Sequence, residues 1–101
     1  MSVAIVKWER LTEPVVSETI GFTAVSWHGL IVDSIPVSIG PRGLFVALPS
    51  RRAGNGRWLK IVRFKTVREE EAFKTEVLAA LMNTYPEDFV GFGAPASPPR
   101  P

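Results

Sequence analysis

Cysteine is absent from this chain of 101 residues, and histidine occurs once. Without cysteine the chain can form no disulfide, no thiolate nucleophile and no zinc site built on sulfur. One histidine is too few for a zinc site built on nitrogen ligands. No apolar run approaches the roughly 18 residues of a membrane-spanning helix, and no basic N-terminal region leads into a long apolar stretch. We therefore expect a cytoplasmic protein with no membrane partner, no metal and no cofactor.

Side chains suited to catalysis are also scarce. His28 falls in a predicted turn and Asp33 in a predicted apolar strand, and neither has a sequence neighbour that suits it to acid–base chemistry. Ser50 lacks the Gly-x-Ser-x-Gly setting of a nucleophile, and residues 54–56 lack the lysine of a phosphate-binding loop. We expect His28 to be a surface or turn residue, and Asp33 to be exposed or in a structural ion pair. The sequence predicts a non-enzymatic protein without a small-molecule substrate.

Acidic residues are missing from one long stretch of the chain. From Arg42 to Arg68 there are eight of the 12 basic residues and no aspartate or glutamate, although the net charge of the whole chain is only +2. Such segregation predicts a one-sided positive field that attracts phosphates, so a nucleic acid is the first partner to consider. A basic hairpin that is simply solvated is the alternative, and the charge pattern alone does not decide between the two.

Alternating and apolar stretches predict five strands. The first four are Val3 to Trp8, Thr19 to Trp27, Leu30 to Val37, and Leu44 to Leu48, the last as a buried central strand. Pro36 lacks a backbone donor, which places that end of its strand at a sheet edge or a bulge. Asn55-Gly56 predicts a hairpin reversal. The fifth strand is expected from Arg57 to Phe64, with apolar and basic residues on both faces.

A helix is predicted after the strands. Thr66 to Glu69 has the form of a capping box, and Pro86 disfavours helical geometry at Tyr85. Between them one apolar stripe recurs at helical spacing, formed by Phe73, Val77, Leu78, Leu81, Met82 and Tyr85. The sequence thus predicts an α+β domain over residues 1–86, with a small antiparallel sheet of about five strands and a C-terminal helix. A flexible Gly/Pro-rich tail is predicted over residues 87–101.

Three tryptophans offer candidate stacking surfaces for bases. They are Trp8, Trp27 and Trp58, and a place in the core or in an interface is the alternative for each of them. Trp58 is the best placed for a nucleic acid, because it lies between Arg57 and Lys60.

The segment from Gly43 to Arg52 reads Gly-Leu-Phe-Val-Ala-Leu-Pro-Ser-Arg-Arg. It resembles the signature of the SpoVG family, the stage V sporulation protein G or septation-regulator proteins of bacteria. Asn55-Gly56 corresponds to that family's hairpin, Ile61 to its strand isoleucine, and Val77-Leu78 and Tyr85 to the end of its helix. The resemblance extends over roughly residues 3 to 85.

The resemblance implies a homodimer with a curved antiparallel sheet and a role as a DNA-binding or RNA-binding regulator, in septation, cell division, sporulation or gene regulation. It also implies that the basic pair after Pro-Ser, here Arg51 and Arg52, contacts the nucleic acid, and we expect this pair to lie in a basic loop after the Leu-Phe-Val-Ala-Leu-Pro-Ser strand. We expect support from the nearby cations Arg42, Arg57, Lys60 and Arg63. The alternative is a non-enzymatic protein-interaction module that binds an acidic protein partner.

Overall fold

The computed structural model describes residues 3–11 and 18–89. Its elements are β1 (Ala4–Arg10), β2 (Thr19–Trp27), β3 (Leu30–Gly40), β4 (Gly43–Val46), β5 (Ser50–Arg52), β6 (Trp58–Lys60), α1 (Val67–Thr84) and a 3-10 helix (Pro86–Phe89). β1 to β4 form an antiparallel sheet in the order β1-β2-β3-β4, and β5 pairs with β6 in a separate sheet. The α+β class and the C-terminal helix are as predicted, but two sheets replace the predicted sheet of about five strands. Within the described ranges, no helix is long and apolar enough to cross a membrane.

The hairpin between β2 and β3 follows local sequence rules. His28 and Gly29 have φ values of 51° and 78°, as a two-residue turn between twisted strands requires. Further along β3, Asp33 and Ser34 together oppose Ala24, which makes a bulge with Ser34 at a φ of 56°. The Asp33 carboxylate is exposed and accepts a hydrogen bond of 2.8 Å from the Ser34 N–H. The turn position of His28 and the exposed position of Asp33 are both as predicted.

Pro36 lies on β3, opposite Phe22 of β2. Its carbonyl accepts a hydrogen bond of 3.0 Å from the N–H of Ala47, on the β4 side. Because the N–H and C=O positions of a strand residue point to the same side, the missing donor also faces β4. β4 ends at Val46, so the missing donor falls where that pairing stops.

The prediction of a buried central strand at Leu44 to Leu48 is wrong. β4 spans only Gly43–Val46 and pairs with β3 alone, so it forms an edge of the sheet. Leu44 and Val46 are buried, whereas Phe45 between them is 38% exposed. The apolar run suggested cover on both faces, but the helix covers only one face of this sheet, and the alternate residue points away from it.

α1 closes the core against the covered face of the sheet. The Thr66 hydroxyl accepts from the Glu69 N–H at 3.1 Å and donates to the Glu69 carboxylate at 3.0 Å, which is a variant of the predicted capping box. The helix ends before Tyr85, whose N–H donates to the Leu81 carbonyl at 2.8 Å. The buried part of the predicted stripe consists of Phe73, Val77, Leu78 and Leu81, with Met82 and Tyr85 partly buried beside it.

The 3-10 helix fastens the end of the described chain to β1. The Trp8 indole N–H donates to the Asp88 carboxylate at 2.9 Å, and Arg10 lies 3.4 Å from the same group. The rings of Trp8 and Phe89 are 5.3 Å apart, and Phe89 is buried. The packed fold therefore reaches Phe89, past the predicted boundary at residue 86. The rest of the predicted tail, residues 90–101, lies outside the described residues.

Candidate nucleic-acid interface

A two-stranded ribbon carries the centre of the acid-free stretch. β5 and β6 pair antiparallel, with Ser50 opposite Lys60 and Arg52 opposite Trp58. The ladder continues at one end, where the Ile61 N–H donates to the Pro49 carbonyl at 3.0 Å. We call residues 49–61 the basic ribbon.

The reversal of the basic ribbon lies where Asn55-Gly56 predicted it. Gly56 has a φ of 84°, and its N–H donates to the Ala53 carbonyl at 2.9 Å. The Asn55 side-chain oxygen accepts from the Arg57 N–H at 3.0 Å, which fixes the chain as it leaves the turn. A short polar turn thus holds the two basic strands in register.

Two sequence expectations about these strands need correction. Arg51 and Arg52 lie in β5 and not in a loop, so their side chains take fixed opposite directions. The last strand begins at Trp58 and ends at Lys60, instead of running from Arg57 to Phe64. Val62 and Phe64 pack against the core, and the chain leaves the ladder to bring them there.

Pairing gives the basic ribbon two distinct faces. Directly opposed residues share a face, and successive residues along a strand alternate. One face therefore carries Ser50, Arg52, Trp58 and Lys60, and we call it the tryptophan face. Arg51 and Leu59 lie on the other face, which we call the leucine face. The two arginines predicted to act together point to opposite sides of the ribbon.

The candidate cations have no carboxylate partner among the described residues. Ion pairs in that part of the chain join Arg10 to Asp88, and Lys74 to Glu70 and Glu71. None involves the predicted contact residues Arg42, Arg51, Arg52, Arg57, Lys60 and Arg63, all of which are exposed. Their charges are therefore available to an external anion.

The carboxylate of Glu70 affects the positive field of the candidate cations without an ion pair to any of them. A hydrogen bond from Lys74 lowers the pKa of Glu70, and the charges of Lys74 and Lys60 lower it further. Because the interaction between two charges is mutual, Glu70 offsets part of the positive field of Lys60. We expect Arg52 to be the stronger anion contact on the tryptophan face.

The six candidate residues are brought together only in part. Arg51, Arg52, Arg57 and Lys60 lie on the basic ribbon. The other two lie on flanking segments: Arg42 in the turn between β3 and β4, and Arg63 between β6 and α1. The ribbon is therefore the part of the candidate interface whose geometry is defined.

The three tryptophans have different surroundings. Trp8 and Trp27 are partly buried and pack against the core. Trp58 is 68% exposed, and the ring contacts found among residues 3–11 and 18–89 do not include it. Trp58 is the tryptophan that is open to an external partner.

Both ends of the basic ribbon are fixed to the core. At its start, Pro49 and the preceding Leu48 are buried. After it, Phe64 lies 5.6 Å from Trp27 and 5.2 Å from Phe73, measured between ring centroids, and Trp27 and Phe73 are 5.3 Å apart. This aromatic triangle joins the end of β2, the exit of the ribbon and α1.

Two apolar residues of the basic ribbon are exposed, which the sequence did not predict. Leu59 and Ile61 are 44% and 60% exposed. The available sequence signal was the alternation of these two residues with Lys60. That alternation does not reveal that the core leaves both sides of the ribbon uncovered.

A shallow groove lies elsewhere, on the side of the four-stranded sheet away from α1. Lys7, Glu9 and Asp33 line it together with Phe22, Thr23, Ala24 and Ser34. His28, the only histidine, is not among its lining residues. No group of three or more potential metal-ligating side chains occurs within the described ranges. The absence of catalysis stays a prediction.

No family model matches this chain, and no curated protein matches it.

Proposed function

We propose that this chain is a cytoplasmic, dimeric nucleic-acid-binding protein whose basic ribbon contacts the phosphates of DNA or RNA. The observation that carries the proposal is the concentration of Arg51, Arg52, Arg57 and Lys60 on one short ribbon with no carboxylate partner in the described chain. Cations in this arrangement release condensed counterions when they meet a phosphate backbone, and that release drives association.

The type of side chain also suits phosphate. Arg51, Arg52 and Arg57 present planar guanidinium groups, which can bind phosphate oxygens through two parallel hydrogen bonds. β5 holds the first two on a paired strand, which limits the conformational entropy lost on binding. The arrangement supports backbone contacts that do not depend on sequence, so we propose affinity for both DNA and RNA.

The string from Gly43 to Arg52 supports a more specific form of the proposal. We propose a SpoVG-like regulator that acts on septation, cell division, sporulation or gene expression. In this proposal β4 and residues 47–49 support the arginine pair, and the nucleic acid approaches the exposed ribbon.

The test of this proposal is the double substitution Arg51→Ala/Arg52→Ala. We expect its affinity for labelled DNA and RNA to fall about a hundredfold, since each charge-assisted contact is worth roughly 1.5 kcal/mol. Fluorescence anisotropy at low salt measures the change. Lys7→Ala is the control, because Lys7 is an exposed cation of β1 outside the acid-free stretch. Since Lys7 lies on the uncovered side of the four-stranded sheet, sedimentation of the variant should show the wild-type mass, and its affinity should change by less than about twofold. Equal binding by the double variant and the wild type would contradict the assignment of these two arginines.

The dimer is supported by the uncovered side of the four-stranded sheet. Phe22, Ile31 and Phe45 are 40%, 60% and 38% exposed there, and a second subunit would remove them from water. Sedimentation at micromolar concentration should give twice the chain mass of 11.1 kDa. A monomer under these conditions would contradict the proposed dimer.

One observation favours the alternative of an acidic protein partner. The leucine face combines Arg51 with the exposed Leu59, a mixture of cationic and apolar groups that protein interfaces also use. Recovery of an acidic protein after nuclease treatment, by a chain that binds neither DNA nor RNA, would favour this alternative.

A further inference from the structure

We infer that the preferred ligand of the basic ribbon is single-stranded nucleic acid, with an unpaired base stacked on Trp58 and phosphates on Arg52 and Lys60. This inference rests on the proposed function and narrows its ligand class.

The central observation is the position of Trp58 within the tryptophan face. It is paired directly with Arg52 across the ribbon, and Lys60 is the next residue along its strand on the same face. An indole between two cations matches what single-strand binding requires, since one group stacks on the base and its neighbours hold the backbone.

The exposure of Trp58 distinguishes it from a tryptophan that packs in the core. Trp58 is 68% exposed, and no ring contact among the described residues involves it. Exposing an indole on this scale leaves a large apolar ring in water, and no ring of residues 3–11 or 18–89 packs against it to reduce that cost. A partner that covers the ring accounts for its position.

The shape of the tryptophan face favours an unpaired base over a duplex. A ribbon that reads a major groove directs polar side chains at base edges. Here the residue between Arg52 and Lys60 is an indole, which offers one N–H donor and a broad apolar ring. Bases in a duplex are already stacked on each other, whereas an unpaired base has a free π-face for Trp58.

The first test compares Trp58→Ala and Trp58→Phe with the wild type on a labelled mixed-sequence single strand of roughly 20 nucleotides, DNA and RNA in turn. We expect Trp58→Ala to weaken binding about 5- to 150-fold, the range measured when one stacking side chain is removed. Trp58→Phe should retain most of the affinity. Leu59→Ala is the matched control on the leucine face, and it should bind as the wild type does.

A second comparison separates stacking from charge. Trp58→Ala should leave the salt dependence unchanged, because no cation is removed, whereas Arg52→Ala should make the slope of log K against log salt shallower by about 0.7. Arg52→Ala should also weaken single-strand binding more than Arg51→Ala, since only Arg52 shares the face of Trp58. Quenching of tryptophan fluorescence by the oligonucleotide, lost in Trp58→Phe, would further support stacking.

The outcomes distinguish this inference from the function on which it rests. If the wild type binds no DNA or RNA, the proposed function fails. If the wild type binds a duplex more tightly than the single strand, or if Trp58→Ala binds the single strand with unchanged affinity, only the present inference fails. If Trp58→Ala dissociates a dimer in sedimentation and leaves single-strand affinity intact, Trp58 is an interface residue and the inference is overturned.

Discussion

Replacing Phe73 by alanine should lower the free energy of unfolding by about 3 to 5 kcal/mol. Phe73 is 2% exposed and contacts both other rings of the aromatic triangle, Trp27 at 5.3 Å and Phe64 at 5.2 Å. Removing its ring leaves a cavity between the sheet and α1 and also abolishes two ring contacts. A domain of this size is stable by roughly 5 to 15 kcal/mol, so the variant should be close to unfolding. Thermal denaturation should show a midpoint lower by at least about 12 °C.

The same helix provides the control for this substitution. Val67 is 75% exposed, and Val67→Ala should change the stability by less than about 0.5 kcal/mol. Because Phe64 anchors the exit of the basic ribbon against Phe73, the Phe73 variant should also expose the ribbon amides to faster hydrogen exchange. A loss below about 1 kcal/mol would show that the triangle does not hold the ribbon to the core.

Raising the salt concentration from 50 to 200 mM should weaken duplex binding by the wild type on the order of a thousandfold. A thousandfold decrease corresponds to one phosphate neutralised by each of the six candidate residues: Arg42, Arg51, Arg52, Arg57, Lys60 and Arg63. Counterion release is smaller on a single strand, so its affinity should fall by roughly 300-fold over the same range. Fluorescence anisotropy at several salt concentrations measures both slopes.

Lys7→Ala again provides the control, and its salt dependence should match that of the wild type. A decrease of less than about tenfold would mean that no more than about two phosphates are neutralised, which is too few for the proposed interface.

Local sequence patterns predicted the elements that depend on near neighbours. The start of α1 followed from Thr66 and Glu69, its apolar stripe from helical spacing, and the reversal of the ribbon from Asn55-Gly56. In each case the deciding contacts join residues a few positions apart, so the sequence contains the necessary information.

The errors concern contacts between distant segments. The apolar run at Leu44 to Leu48 suggested a central strand, but whether a strand lies at the centre or the edge depends on the order of the sheet. Similarly, the alternation from Arg57 to Phe64 suggested one long strand, whereas β6 ends at Lys60 and the partly buried Val62 and Phe64 pack against the core. In the first case the strand formed but its place in the sheet was not predictable from the local pattern, and in the second case tertiary packing overrode strand propensity.

The candidate site was likewise predicted from the sequence only in part. Charge segregation identified the stretch containing Arg51, Arg52 and Lys60, and sequence position favoured Trp58 among the tryptophans. The pairing of β5 with β6 was needed to place Arg52 beside Trp58 and Arg51 on the opposite face. A shift of one residue in this register would exchange the faces, and the sequence alone does not fix it.

Whether the arginines of the basic ribbon contact phosphates is decided by comparing the salt dependence of binding between the wild type and Arg51→Ala/Arg52→Ala. The measurement is the slope of log K against log salt for the same single-stranded oligonucleotide. The double variant should have a slope shallower by about 0.7 to 1.4, the lower value if Arg52 alone neutralises a phosphate and the higher value if Arg51 does so too. Identical slopes for the two proteins, or a wild-type slope near zero, would contradict these phosphate contacts.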